Sequence, residues 1–272
     1  MDAERVTAQV LATKKYAMMD VDAVRRVCRD ACARHAKTKD AVKAAKTALH
    51  GMNAAFVGDG AHQAAARVLA AAGPGLLRDK AAALGLLRLH ASSAERIAYL
   101  DEVCTLIADC LGQGRTLLDL GCGFQPFALP WYPRLPDAYV AVDMHRQTVA
   151  LLNDYFARIG RPAYRALVCD LGADIPAFTG DCALLFKLLP LLERQRKGGA
   201  MRLFSRLRVP RALVSFQLKS LGGRQKGMLT HYAAWFEREL PAGARIIRRA
   251  VVGDELFYGV EKALPLNPEN PD

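Results

Sequence analysis

Residues 115–126, Arg-Thr-Leu-Leu-Asp-Leu-Gly-Cys-Gly-Phe-Gln-Pro, constrain the fold more than any other stretch of the chain. The apolar run Leu117, Leu118 and Leu120 enters a Gly-x-Gly turn, which predicts a buried strand leading into a tight loop. Gly121 and Gly123 carry no side chain, so a ligand can lie against bare backbone there. A second strand signal, Ala138–Asp143, ends in an acid, and a third, Ala166-Leu-Val-Cys-Asp170-Leu171, does the same. An acidic residue at a strand end is placed to accept hydrogen bonds from ribose hydroxyls, a layout general to nucleoside-binding α/β sheets. The turn alone does not decide the matter, since Gly-x-Gly also closes ordinary strand-to-helix loops. Gln125-Pro126 stands where a dinucleotide fingerprint has its third glycine, and no Gly-Lys-Ser/Thr follows, which excludes a P-loop.

Around this turn, strand and helix patterns alternate. Strands are expected near 115–120, 138–142, 164–169, 181–186, 211–216, 244–251 and 255–261. The last two lie too close for a crossover helix and should pair antiparallel, while the others should form a parallel, doubly wound sheet. The first 70 residues lack strand alternation and are rich in Ala, Lys and Arg, predicting helices near 2–13, 20–35, 38–50 and 60–72. After the breaker Gly73-Pro74-Gly75, residues 76–89 read as a further helical piece. Ser92-Ser-Ala-Glu95 fits a capping box opening a helix through Ile97, Leu100, Cys104, Ile107 and Leu111, stopped by Gly112. The division expected is a helical, basic subdomain over 1–88 and a sheet domain over 89–272, ending in a loose tail at 263–272.

The formal charge is +11, and it is unevenly spread. Residues 1–90 hold 15 Lys/Arg against 8 Asp/Glu, and residues 194–236 hold 10 Lys/Arg and no acid. One such cluster is what a solvated helix face looks like; two flanking a nucleoside-binding fold favour a polyanion, and nucleic acid above others. The seven cysteines are odd in number and form no Cys-x-x-Cys pair, so they read as reduced core residues, with no metal site expected. With no apolar run of 18 residues and no leader-like segment, a soluble, cytoplasmic protein without membrane or evident protein partner is expected.

The order Asp119-x-Gly121-x-Gly123, then Asp143, then Asp170 resembles the S-adenosylmethionine-dependent methyltransferase superfamily. The segment after the fourth strand, Phe186-Lys187-Leu-Leu-Pro190, lacks the Asn/Asp-Pro-Pro-aromatic motif of enzymes acting on exocyclic amines. No Pro-Cys nucleophile is present, and no His/Asp pair suggests deprotonation of a hydroxyl. A target with a free lone pair, such as purine N7, needs alignment and no base. Several further segments resemble the aminoglycoside-resistance 16S rRNA methyltransferases, which act on guanine 1405 at N7. They are Leu49-His50-Gly51, Leu89-His90-Ala91-Ser92 with Glu95-Arg96, Leu184 to Glu193, Val214-Ser-Phe216 running to Ser220-Leu-Gly-Gly-Arg224 with Lys226-Gly-Met228, and Tyr232-Ala-Ala-Trp235-Phe-Glu237. Gln217-Leu218, where Pro-Thr is expected, and the Gly-Pro-Gly region depart from the pattern.

The resemblance implies a class I methyltransferase: a Rossmann-like, seven-stranded α/β sheet with its last strand antiparallel and an N-terminal helical subdomain. It implies S-adenosyl-L-methionine as donor, S-adenosyl-L-homocysteine as product, and 16S rRNA of the assembled 30S subunit as partner. In that reading Arg96 holds the donor carboxylate, Gly121 and Gly123 its methionine part, and Asp143 the ribose. Asp170 and Leu171 flank the adenine, with His90 and Asp119 in the same site. Lys187, Arg224 and Met228 position the guanine, and Lys14, Lys15, Arg25, Arg26, His50, Lys219, Arg224 and Lys226 meet RNA. Plainer roles stay open: Arg96 as an exposed helix residue paired with Glu95 or Asp101, and Asp170 as a helix cap. His50 and His90 read equally as packed or capping residues, His145 as a surface residue, Lys187 as a brace for its own loop, and the N-terminal cations as a solvated face. Another rRNA or tRNA base is the alternative target.

Overall fold

A chain whose strands are apolar on both faces must cover both with helices, and the strand residues here alternate between two cores with period two. The computed structural model describes residues 2–54, 56–73, 75–173, 178–218 and 228–263. In chain order the helices are α1 (Ala3–Leu11), α2 (Val21–Arg34), α3 (Thr38–Leu49), α4 (Ala61–Ala71), α5 (Lys80–Leu87), α6 (Ala91–Ala94), α7 (Leu100–Leu111), α8 (Arg146–Arg158), α9 (Leu189–Gln195), α10 (Gly199–Arg206) and α11 (Met228–Glu239). The strands are β1 (Thr116–Leu120), β2 (Ala138–Asp143), β3 (Tyr164–Val168), β4 (Cys182–Phe186), β5 (Arg211–Gln217), β6 (Ala244–Val252) and β7 (Glu255–Lys262). They form one sheet in the order β3-β2-β1-β4-β5-β7-β6, with β7 antiparallel to both neighbours and the other pairings parallel. This is the expected class I methyltransferase sheet, and the strand boundaries fall within a residue or two of those read from the sequence.

Leu117, Tyr139, Ala141, Cys182 and Leu184 face the core shared with α4, α5, α7 and α8. Leu118, Val140, Val142, Ala183, Leu185 and Phe216 face the core shared with α9, α10 and α11. Each fully buried aromatic in these layers, such as Phe216 or Phe236, contributes about 2–3 kcal/mol of hydrophobic stabilisation. The order places the C-terminal ends of β1, β2, β3 and β4 side by side, and a parallel sheet with crossovers leaves its crevice there. At the outer edge, β6 turns Arg245, Arg248 and Arg249 to solvent and bulges between Ile246 and Arg248.

The helical N-terminus is not one unit. α1–α3 enclose a core of their own (Val6, Val10, Tyr16, Met19, Val24, Val27, Cys28, Leu49). Ala65, Leu69, Leu86 and Leu87 instead belong to the core under the sheet, where α5 packs on the 3₁₀ turn Gln125–Trp131 and α4 on α8. The boundary between cores thus lies near residue 54, and the α4–α5 part of the 1–88 unit is built into the sheet layer. A second difference concerns the 92–111 helix. His90, not Ser92, stands at the first N-cap, α6 stops at Ala94, and Ile97–Tyr99 is a 3₁₀ turn before α7 begins. Arg96 sits in the break with its side chain buried, drawn to a carboxylate on β7. The tail from 264 onward lies outside the described residues.

Candidate functional site

The β1 strand ends on a loop whose backbone only glycine takes easily. Gly121 and Gly123 have φ of 67° and 49°, and a Cβ on Gly123 would stand 2.6 Å from His90 Nε2. This loop floors a pocket at the ends of β1, β2, β3 and β4, lined also by Asp143, Met144, Asp170, Leu171, Phe186 and Lys187. His90 lies against it, stacked between Phe124 and Phe56, and burial, aided by the Arg96 charge, pushes its pKa down to about 3. His90 is therefore a neutral packing surface at physiological pH. Met52 and Phe56, from the segment after α3, close the pocket from the side of the helical N-terminus.

Asp143 is held by main chain. It accepts from the Gly123 amide at 3.0 Å and the His145 amide at 2.8 Å, and burial raises its pKa against the pull of those donors. Each amide uses one lone pair, leaving acceptor capacity toward the pocket. Asp170 is held differently. Arg26 of α2 donates through Nε at 2.6 Å and Nη2 at 2.9 Å to its two oxygens, and the Gly172 amide donates at 3.0 Å. Arg26 is thus placed against the pocket wall instead of the outer surface expected of it, because the buried carboxylate needs a cation. The plainer role weighed for Asp170, a helix cap, is not seen: the Gly172 amide contact closes a turn, and no helix begins there among the described residues.

Arg96, expected at the donor carboxylate, is engaged with protein groups in this structure. It is 4 % exposed and does not line the pocket. Its guanidinium donates through Nε at 2.9 Å and Nη2 at 2.7 Å to Glu255, and through Nη1 to Gln125 at 3.2 Å, and it lies over the Phe186 ring. Burial pushes Glu255 up, but Arg96, with Lys187 and Ser215, outweighs it and holds the carboxyl below its ordinary value. Lys187 joins this network through Glu95 and, at 3.6 Å, Glu255. Its backbone is left-handed at φ 56°, rare for a side-chain-bearing residue. Asp119 lies beneath the glycine turn, 1 % exposed, accepting from the Tyr139 hydroxyl at 2.6 Å. Burial pushes its pKa up to about 7.

Of the cations expected to meet RNA, Lys14 and Lys15 are exposed on the loop after α1, while Arg25 is tied to Glu4 at 3.0 Å and Asp22 at 2.6 Å. His50 is exposed at the start of a π turn (His50–Ala54). His145 is not a surface residue: it is buried and stacked on His62 with centroids 4.4 Å apart. Lys219, Arg224 and Lys226, and the side chain of Met228, lie outside the described residues. Among those described, no cluster of three His, Cys, Asp or Glu could hold a metal, and no helix is long and apolar enough to cross a membrane.

A family model described as "Ribosomal RNA methyltransferase (FmrO)" matches residues 12–258. The chain belongs to this family. It is 40% identical over 262 residues to a 16S rRNA (guanine(1405)-N(7))-methyltransferase of Serratia marcescens, covering 96% of this chain and 99% of the relative. A protein of the same description from Micromonospora echinospora is 33% identical over 266 residues, covering 95% and 96%. Among solved structures, 16S rRNA methyltransferase RmtF in complex with S-adenosyl-L-homocysteine superposes with a TM-score of 0.87 at 39% identity, covering 97% of this chain and 100% of that one. Sequence reasoning found the β1, β2 and β3 ends but missed Met52, Phe56 and Gln195 in the pocket and Glu255 beneath it. The first three sit in segments without a motif. Glu255 carried one signal, an acid directly before the apolar run Leu256–Tyr258.

Proposed function

We propose that this protein transfers a methyl group from S-adenosyl-L-methionine to N7 of guanine 1405 in 16S rRNA, with the assembled 30S subunit as substrate and aminoglycoside resistance as the outcome. The observation that carries the reading is the pocket at the β1–β4 ends, floored by a left-handed glycine turn and flanked by Asp143 and Asp170, in a chain that matches this family over nearly its whole length. The pocket suits the donor: a Cβ would fill the cradle at Gly123, and strand-end carboxylates offer acceptors for ribose hydroxyls and an exocyclic amine.

The donor supplies an electrophilic methyl on a sulfonium sulfur. Asp143 receives the ribose, Asp170 and Leu171 the adenine, and Gly121 and Gly123 allow close approach of the chain that bears the methyl. Arg96 contributes by fixing Glu255 and Lys187 under the target side of the pocket. Purine N7 carries a free lone pair at neutral pH, and the described pocket residues agree with chemistry that needs no base. His90 is neutral and packed, and burial raises the Cys169 thiol to about 11, far from a thiolate. Rate acceleration then comes from orientation. Arg224, Met228 and Lys187 are assigned to holding the guanine in line, and Lys219 and Lys226 to phosphates. The helical subdomain docks on folded rRNA, with exposed Lys14 and Lys15 as the first candidates. A protein of this function works in the cytoplasm.

Borohydride and aniline treatment cleaves RNA at 7-methylguanosine. Small subunits incubated with the enzyme and donor should yield one new cleavage at guanine 1405, and a methylated subunit that resists cleavage overturns the N7 assignment.

A further inference from the structure

We propose that Arg26 is a positioning residue for the methyl donor: from α2, outside the sheet domain, it sets the Asp170 carboxylate that recognises the adenine amino group. The proposal rests on the reading that the adenine lies against Asp170 and Leu171. Two observations carry it. The contact is a planar fork on a carboxylate, Nε to Oδ2 at 2.6 Å and Nη2 to Oδ1 at 2.9 Å, between groups 144 residues apart, with side chains 17% and 7% exposed. The guanidinium is also locked from its other sides. Nη2 donates to Gln195 Oε1 of α9 at 2.9 Å, Nη1 reaches Asp30 at 3.8 Å, and a Cβ on Gly172 would stand 2.6 Å from Nη2.

A bidentate guanidinium and the Gly172 amide use three of the roughly four lone-pair sites of the carboxylate. One acceptor site remains, and its direction is fixed by the fork, because the carboxyl plane cannot rotate without breaking two charge-assisted bonds. Asp170 and Gln195 both line the pocket, so the free acceptor opens where the adenine edge lies. Without Arg26 the carboxylate would be a buried, uncompensated charge free to turn. Donor recognition therefore draws on the α1–α3 unit, the same unit assigned to rRNA docking, and the two binding events share a structural element.

The test separates positioning from mere support. Titration calorimetry is run with S-adenosyl-L-homocysteine and with its deaminated analogue S-inosyl-L-homocysteine, which carries an oxo group in place of the amine. The proteins are the full chain and its Arg26→Ala, Arg26→Lys and Asp170→Asn variants. The unaltered protein should prefer the amino ligand by on the order of tenfold or more. Arg26→Ala should lose most of that preference, chiefly by weakening the amino ligand, and Arg26→Lys, which keeps the charge and loses the fork, should fall between. Equal weakening of both ligands in Arg26→Ala overturns the proposal, since support alone would give that result. Full preference in Arg26→Ala with loss in Asp170→Asn also overturns it, leaving the adenine reading intact. Full preference in Asp170→Asn overturns the adenine reading itself. If Arg26→Ala does not fold, Arg26→Lys decides: preference equal to the unaltered protein's overturns the proposal.

Discussion

On the β1–β2 side of the pocket, geometry is set by main chain: Gly121 and Gly123 hold left-handed φ values, and Asp143 is fixed by two backbone amides. On the facing side it is set by side chains from far along the sequence, with Arg26 gripping Asp170 and, beneath the floor, Arg96 gripping Glu255. A wall made of backbone tolerates few substitutions but needs no partner. A wall made of buried ion pairs depends on both members, because each alone is a desolvated charge. The contrast predicts different failures for the two sides.

The largest effect is expected at the paired wall. Arg96→Met removes the bidentate partner of buried Glu255, leaving Lys187 at 3.6 Å as its remaining cation, and should lower stability by about 3 kcal/mol in urea unfolding, whereas Arg96→Met with Glu255→Leu should recover most of it. A single variant within ~1 kcal/mol of the unaltered protein would mean that Glu255 is not buried as described. Next comes Asp119, below the backbone wall. Its folded pKa is raised from 3.8 to about 7, so the protonated acid is the one the fold favours. That contribution is complete below pH 3.8 and is lost as pH rises through 7. Asp119→Asn, which can still accept from Tyr139, should therefore gain on the order of 3 kcal/mol at pH 8 and little at pH 4, measured by thermal unfolding across pH. A difference that does not shrink toward low pH would show that the charge of Asp119 is not the cause. The smallest effect belongs to Gly123→Ala, at about 2 kcal/mol: the strained φ adds to a collision with the His90 ring. Its mark should be on donor affinity more than on the melt, and unchanged titration would remove the glycine turn from the site.

The same contrast decides what could be read in advance. The strands and the antiparallel end follow from short apolar runs and short connections, both local properties, whereas the strand order rests on pairings between distant segments. The glycine turn and Asp143 were legible because a conformation only glycine takes readily, or a strand-end acid, needs no distant partner to be recognised. Arg26 looked like one more surface cation on a basic helix, since nothing near residue 26 tells of a carboxylate at 170. Arg96 stands out in the sequence, but nothing near it tells of Glu255, 159 residues on. The broken helix at 94–100 is likewise invisible locally: the spacing favours a continuous helix, and the Arg96 in the break is bound to a distant carboxylate.

The outer strand β6 has a consequence for how this protein lives in a cell. An open strand edge offers unpaired amides and carbonyls to any other strand, and it is where sheet proteins begin to aggregate. Here the edge carries a bulge and three arginines, Arg245 held by Glu261, Arg248 by Asp109, and Arg249, so a second copy approaching edge to edge meets bulky, charged side chains on a ladder that is out of register.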